Sequence, residues 1–296
     1  MIIDIHMHTV RAAGLLRANG ETFATPRQLA RIMDRVGIER AVLLPMVSPE
    51  GSHCLTSTEE VLLIARRYKG RFIPFCNIDP RVEMNSPSTD LGHMLDYYIT
   101  QGCKGLGEIT ANLPFDDPRV EKLFDACQSR DLPVIFHIGP QEGDCYGLVD
   151  GPGLPKLEQA LTRFPKLKYL GHSQPFWAEM APDYGEAGRN GYPKGPIKPG
   201  GRLPQLFARY PNLCGDLSAG SGYNAMSRDP EFGYHFMEEY QDRLLFGTDI
   251  CAPSNDTPLV RYLLMALSEG KLSAQAYEKI TWRNAALLLK LGLAPD

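Results

Sequence analysis

Eight short β-branched and aliphatic runs recur along the chain with stretches of helical period between them, and this alternation restricts the fold more than any other feature. The predicted strands are Ile2–His6, Arg40–Leu44, Arg71–Cys76, Lys104–Glu108, Pro133–His137, Lys168–His172, Leu213–Leu217 and Leu244–Thr248. Helical periodicity covers Pro26–Val36, Thr58–Tyr68, Asp90–Thr100, Pro118–Ser129, Leu154–Phe164, Leu203–Arg209 and Glu231–Tyr240, then Leu259–Leu267 and Ala274–Leu291. Eight βα units imply parallel strands closed into an α/β (β/α)8 TIM barrel. At 296 residues the chain is long for an average domain but ordinary for one barrel, so a single barrel over residues 1–296 is expected. Between strands six and seven, Trp177–Arg202 is rich in Gly, Pro and charge. It reads as a long βα loop, and because such loops lie on the catalytic face of a barrel, as a wall or lid of the site.

With 43% hydrophobic and 22% charged residues and no bilayer-length apolar run, the chain reads as a soluble globular protein without a membrane segment. Its N-terminus lacks the basic, apolar and small-residue pattern of a signal peptide and reads as the mature start. Seven cysteines are scattered without a CxxC pair, which fits a reducing, cytoplasmic setting and argues against a thiol metal site. The net charge of −4, with no basic stripe, argues against nucleic acid. A small-molecule substrate is the expected partner, with self-association into a homo-oligomer left open.

The chemistry sits at the strand ends. Alternate strand side chains share a face, so His6 and His8 project together at the end of strand one. Two imidazoles meeting at one point are a common start for a catalytic metal site, although HxH alone is weak and is often an ordinary hydrogen-bonded pair. The pattern strengthens because Pro-Val-Ile-Phe-His137 and Leu-Lys-Tyr-Leu-Gly-His172 also end apolar strands in histidine, and Leu-Leu-Phe-Gly-Thr-Asp249 ends the last in a carboxylate. His53, His93 and His235 fall instead in loops or helices. Barrel active sites assemble at the carboxyl ends of strands, so these distant residues are expected to converge.

HxH on strand one, His on strands five and six and Asp on strand eight resemble the amidohydrolase superfamily. The opening Ile-Asp-Ile-His-Met-His, the Phe-His-Ile-Gly stretch, the closing Leu-Phe-Gly-Thr-Asp and Trp282-Arg283-Asn284-Ala285 are similar to its amidohydrolase-2 group, which includes aminocarboxymuconate semialdehyde decarboxylase and related hydrolases. The resemblance implies an enzyme that binds metal through His6, His8, His137 and Asp249, with His172 as a catalytic acid/base beside the reacting water. Strand four departs from the carboxylated lysine of many binuclear members: it reads Lys104-Gly-Leu-Gly-Glu108, with Glu108 at the rim. Its Gly-Glu-Ile segment also resembles the TatD-like deoxyribonuclease branch, where a glutamate binds metal. Glu108 therefore either ligates a second ion or orients a ligand histidine.

The ligand set, imidazole and carboxylate without thiolate, suits a divalent ion, zinc first: one ion, or two if Glu108 bridges. Asp249 is expected to ligate and to accept the water's proton, with His172 as the second catalytic group. Lys194, Lys198 and Arg202 either receive a substrate carboxylate or phosphate or simply face water, and Arg11 and Arg17 carry the same dual reading. Cys251 either lines the pocket or packs, Trp177 and Tyr223 are candidates for an apolar wall, and Asp4, on the inward face with His6, is expected to tie the interior together. The expected reaction is hydrolysis of a small amide, lactone or ester by metal-activated water. The alternatives are decarboxylation of a small unsaturated or aromatic acid, a TatD-like nuclease and a barrel that binds a ligand without turnover.

Overall fold

A computed structural model describes residues 1–293. The barrel strands are β1 (Ile3–Met7), β2 (Arg40–Leu43), β3 (Phe72–Pro74), β4 (Leu106–Ile109), β5 (Val134–Gly139), β6 (Tyr169–His172), β7 (Leu213–Asp216) and β8 (Leu244–Leu245). All pair in parallel, β1 to β3 in one run and β4 to β8 in another. Single parallel bridges, Cys76 to Leu106 and Met7 to Ile250, join the two runs and close the barrel. A two-residue strand, Leu148–Val149, pairs beside β5.

Helices fill the crossovers. Proline opens those beginning at Pro26, Pro118, Pro155, Pro230 and Pro258; at this position its missing N–H has no intrahelical acceptor to lose. Each helix buries an apolar face on the strands, as Leu29, Ile32 and Met33 do in Pro26–Val36. Sequence periodicity located these helices to within a few residues. It missed two, Gln174–Ala178 and Ala219–Ser227. Among the described residues no helix is long and apolar enough to cross a membrane.

The core has two layers. Ile5, Val42, Phe75, Ile135 and Leu170 fill the barrel interior, with Ala285, Ala286 and Leu289 of the final helices packed into the same cluster. The second layer lies between strands and helices and includes Met7, Leu106, Phe136 and Tyr169. The final helices also cap β8: the Asn284 amide donates to the carbonyls of Gln241 at 2.6 Å and Leu244 at 2.8 Å.

Strand β1 breaks its own alternation. Ile3 and Ile5 pack inside while Met7 packs outside, yet His6 and His8 both reach the site, so the side-chain phase changes within Asp4–His6. Its register with β2 shifts between Asp4 and Met7. The Asp4 carboxylate takes up the donors left over: Oδ1 accepts the His6 N–H at 2.8 Å and the Thr248 N–H at 3.2 Å, and Oδ2 accepts the Thr248 hydroxyl at 2.6 Å. The expected tying role of Asp4 is therefore present, but at its level the interior face belongs to Ile3 and Ile5 and not to Asp4.

Asp4→Ala strands these fully buried donors, and an unsatisfied buried donor costs about 1–3 kcal/mol. The urea midpoint of the variant should fall by the equivalent of about 2 kcal/mol or more; an unchanged midpoint would show that the strand holds its break without Asp4.

Candidate metal centre

Four side chains from β1, β4 and the loop after β8 converge on one point. His6 Nε2 lies 3.1 Å from His8 Nε2. Glu108 Oε2 is 3.6 Å from the first nitrogen and 3.4 Å from the second. Asp249 Oδ1 is 3.6 Å and 3.7 Å from the same two atoms. A tetrahedral ion with bonds of about 2.0–2.2 Å separates its ligand atoms by about 3.3–3.6 Å, so these spacings fit one zinc-sized cation.

Local backbone chemistry sets each of them in place. Glu108 is presented by a register shift between Leu106 and Ile109 of β4. Gly107, at φ 135°, permits it, because a Cβ there would stand 2.4 Å from the Ile135 carbonyl oxygen. Asp249 adopts a left-handed φ of 56°, a conformation aspartate tolerates better than most residues, and its N–H donates to the His6 carbonyl at 2.8 Å. Ser173 and Ala219, just beyond β6 and β7, also have positive φ, at 109° and 60°. Such strained backbone gathers where side chains must be aimed.

The histidine nitrogens facing away from this point are engaged. His6 Nδ1 lies 2.6 Å from Asp216 Oδ2 on β7, and His8 Nδ1 lies 3.2 Å from the Leu44 carbonyl. A histidine ligand held by a carboxylate or carbonyl on its other nitrogen is fixed in tautomer and orientation. Asp216 was not picked out from the sequence. The signal was there: a carboxylate ends an apolar strand in Leu213-Cys-Gly-Asp216, at the same height as the histidines.

His137 and His172 stand on the other side of Glu108. His137 Nδ1 is 2.8 Å from Glu108 Oε1, and His172 Nε2 is 3.9 Å from that oxygen. One Glu108 oxygen thus faces the His6–His8 point and the other lies against His137 Nδ1. A second ion would find Glu108, His137 and His172 grouped around it. Ser218, also unforeseen, places its hydroxyl 2.9 Å from His172 Nδ1 and 3.2 Å from His6 Nδ1.

Burial penalises the charge on His6, but Asp216 and Asp249 outweigh it and raise its pKa well above the usual value. The reverse holds at His172, where burial and the neighbouring His6 charge lower the pKa to about 4, leaving the ring neutral near pH 7. Burial likewise opposes ionisation of Glu108 and Asp216, yet histidine contacts keep both carboxyls below their ordinary range. A largely buried cluster of carboxylates and imidazole nitrogens is the donor set a divalent cation requires.

The cavity above the cluster is lined by His8, Glu108 and Asp249 below and by Arg17, Phe23, Met46, Tyr146 and Cys251 around them. The walls come from the loops after β1, β2, β5 and β8. Lys194, Lys198 and Arg202 do not line it. Lys198 pairs with Asp183 at 2.9 Å, and Arg202 pairs with Glu158 and donates to the Gly153 carbonyl at 3.1 Å. The long loop after β6 packs along its own flank, where Arg189 binds Glu179 and the Asp150 carbonyl. Trp177 is equally far from forming a wall: it is 2% exposed and its indole N–H donates to the Asp216 carbonyl at 3.0 Å.

A profile of the amidohydrolase family matches residues 3–291. The chain belongs to the amidohydrolase family. None of the curated proteins matches it in sequence. Among solved structures, a 5-carboxyvanillate decarboxylase from Sphingomonas paucimobilis is 16% identical with a TM-score of 0.61, covering 98% of each chain. A candidate 2-pyrone-4,6-dicarboxylic acid hydrolase from Pseudomonas putida is 13% identical with a TM-score of 0.62, covering 99% of this chain and 98% of that one. A zinc-bound amidohydrolase from Burkholderia multivorans is 15% identical with a TM-score of 0.59, covering 98% of this chain and 99% of that one. These likenesses establish the barrel, and the family makes the chain an enzyme of the amidohydrolase superfamily.

Asp216→Asn keeps the shape beside His6 but removes the charge. Zinc affinity, measured by competition with a chelating dye, should fall about ten- to hundredfold with circular dichroism unchanged, the usual scale for losing a carboxylate behind a ligand histidine. Wild-type affinity in the variant would remove Asp216 from the metal centre.

Proposed function

We propose that this amidohydrolase hydrolyses a small-molecule amide, lactone or ester and uses one divalent ion, zinc by preference, held by His6, His8, Glu108 and Asp249. The observation that carries the reading is the placement of Asp249. Its Oδ1 faces the His6–His8 point, while its Oδ2 lies 4.0 Å from His172 Nε2. One carboxylate therefore stands between the ligand cluster and a neutral imidazole.

When bound, such an ion supplies Lewis acidity and lowers the pKa of a water at the site toward neutrality. The chain's residues then divide the proton work. Asp249 accepts the proton of the attacking water, and His172, neutral near pH 7, passes a proton on toward the leaving group or donates a hydrogen bond to the developing oxyanion. Ser218 at His172 Nδ1 holds that ring in orientation. Glu108 anchors His137 on the opposite side. Phe23, Met46 and Tyr146 hold the substrate body and exclude water. A small-molecule partner fits a cavity of this kind, and the seven free cysteines fit a reducing, cytoplasmic setting.

The second reading, decarboxylation of an unsaturated or aromatic carboxylic acid, is supported by the similarity to the 5-carboxyvanillate decarboxylase and uses the same ligands with the substrate turned. Zinc-loaded protein should be screened against lactones, amides and esters in ¹⁸O-labelled water, and against aryl and enoic acids with carbon dioxide collected. Label in the carboxylate product supports hydrolysis; carbon dioxide release without label incorporation replaces it with decarboxylation.

His172→Asn separates proton transfer from ligation. With zinc content retained, kcat should drop by about a hundredfold or more. A kcat within a few-fold of wild type would remove His172 from catalysis, and loss of about one ion per chain would make it a ligand in a two-ion site.

A further inference from the structure

The cavity above the metal centre contains a cation, Arg17, that forms no ion pair with the carboxylates lining it. Arg17, in the loop after β1, lines this cavity together with His8, Glu108, Tyr146 and Asp249. Its backbone is fixed by a turn in which the Arg17 N–H donates to the Glu21 carbonyl at 2.8 Å and the Gly20 N–H donates to the Arg17 carbonyl at 2.8 Å. The Glu21 carboxylate accepts the Ser254 hydroxyl, so the turn is tied to the loop that follows Asp249.

The guanidinium carbon lies 4.9 Å from the centre of the Phe23 ring, and one N–H points at Cys251 Sγ at 3.1 Å. Among the described residues these are its side-chain partners, and no carboxylate pairs with it. Among the described residues, several other partly buried arginines are answered by carboxylates, although Arg228 and Arg243 are not. Arg81 pairs with Asp79 and Glu50, Arg119 with Asp117, and Arg202 with Glu158. The guanidinium lies half-buried against an aromatic ring and a thiol, where an anion joining it would make charge-assisted hydrogen bonds. The fork of N–H donors that Cys251 leaves free matches the two oxygens of a carboxylate.

We propose that Arg17 is the specificity-determining residue of the site and that the substrate carries a carboxylate, separate from its reacting carbonyl, which Arg17 receives. Phe23, Pro45, Met46 and the ring of Tyr146 form the apolar side of the same cavity. They take the body of the molecule between its anionic end at Arg17 and its reacting end at Asp249 and His172. This deepens the proposed function and rests on it only for which end of the substrate reacts.

The test uses benzoate and benzamide, which share a shape and differ in charge, titrated calorimetrically into zinc-loaded protein. Benzoate should bind about tenfold or more tightly than benzamide, the scale of a charge-assisted hydrogen bond. Arg17→Gln should abolish the preference with zinc content unchanged. Because zinc itself can take a carboxylate, metal-free protein is titrated in parallel, and there the preference should persist. Equal binding of the two probes, survival of the preference in Arg17→Gln, or its disappearance with the metal would each overturn the assignment. Should Arg17→Gln not fold, Arg17→Lys decides: exchanging the fork for a point charge should weaken benzoate several-fold and leave benzamide unchanged, and unaltered benzoate binding would overturn it. Turnover is not read in any arm. The pattern in a protein that hydrolyses none of the screened substrates would keep Arg17 as the anion site while removing the proposed reaction.

Discussion

The seam between the first and last strands is the constraint on which the site depends. Ile5 donates to the Phe246 carbonyl at 3.0 Å, Asp249 to the His6 carbonyl at 2.8 Å and His8 to the Ile250 carbonyl at 3.0 Å. These backbone bonds close the barrel, and they bring the HxH pair and a carboxylate more than two hundred positions away within ligand distance of one another. Asp4 secures the seam from below through Thr248. Above it, the left-handed turn at Asp249 aims the carboxylate inward, a local cost the ladder on either side offsets. Fold closure and metal-ligand geometry are thus one arrangement seen at two heights.

That arrangement also explains the electrostatics. Glu108 and Asp216 remain ionised despite burial because histidine nitrogens face them, whereas burial keeps His172 neutral. Pushing neighbouring titratable groups apart in this way provides both an acceptor and a donor near pH 7 from ordinary side chains. The surrounding loops contribute the apolar wall and Arg17, which no carboxylate among the described residues pairs with directly, features of recognition more than of bond-breaking.

Much of this was legible in the sequence, for identifiable reasons. Parallel barrel strands are buried on both faces and read as continuous apolar runs, and a polar residue ending such a run, as His137 and His172 do, stands out. What escaped notice depends on tertiary contact. Ala219–Ser227 carries Gly220 and Gly222 and looks like a loop, yet Gly222 lies so close to the Leu217 backbone that a Cβ would stand 2.4 Å from it. The helix forms because packing overrides propensity. The break in β1 was equally hidden, since alternation placed Asp4 and His6 on one face. The charges of Lys194, Lys198 and Arg202 looked like substrate ligands, but two find acidic partners along the flank and none lines the cavity. Asp216 ends its strand as visibly as Asp249 does. It went unselected because a carboxylate supporting a ligand from behind has no spacing motif of its own.

The central claim is that His6, His8, Glu108 and Asp249 hold a divalent ion with no sulfur in its shell, although Cys251 lines the same cavity. X-ray absorption at the zinc edge of the loaded protein addresses it directly. The account predicts a nitrogen and oxygen shell at about 2.0–2.2 Å with the outer scattering of two imidazoles. A sulfur shell at about 2.3 Å, or a spectrum without imidazole scattering, would contradict it.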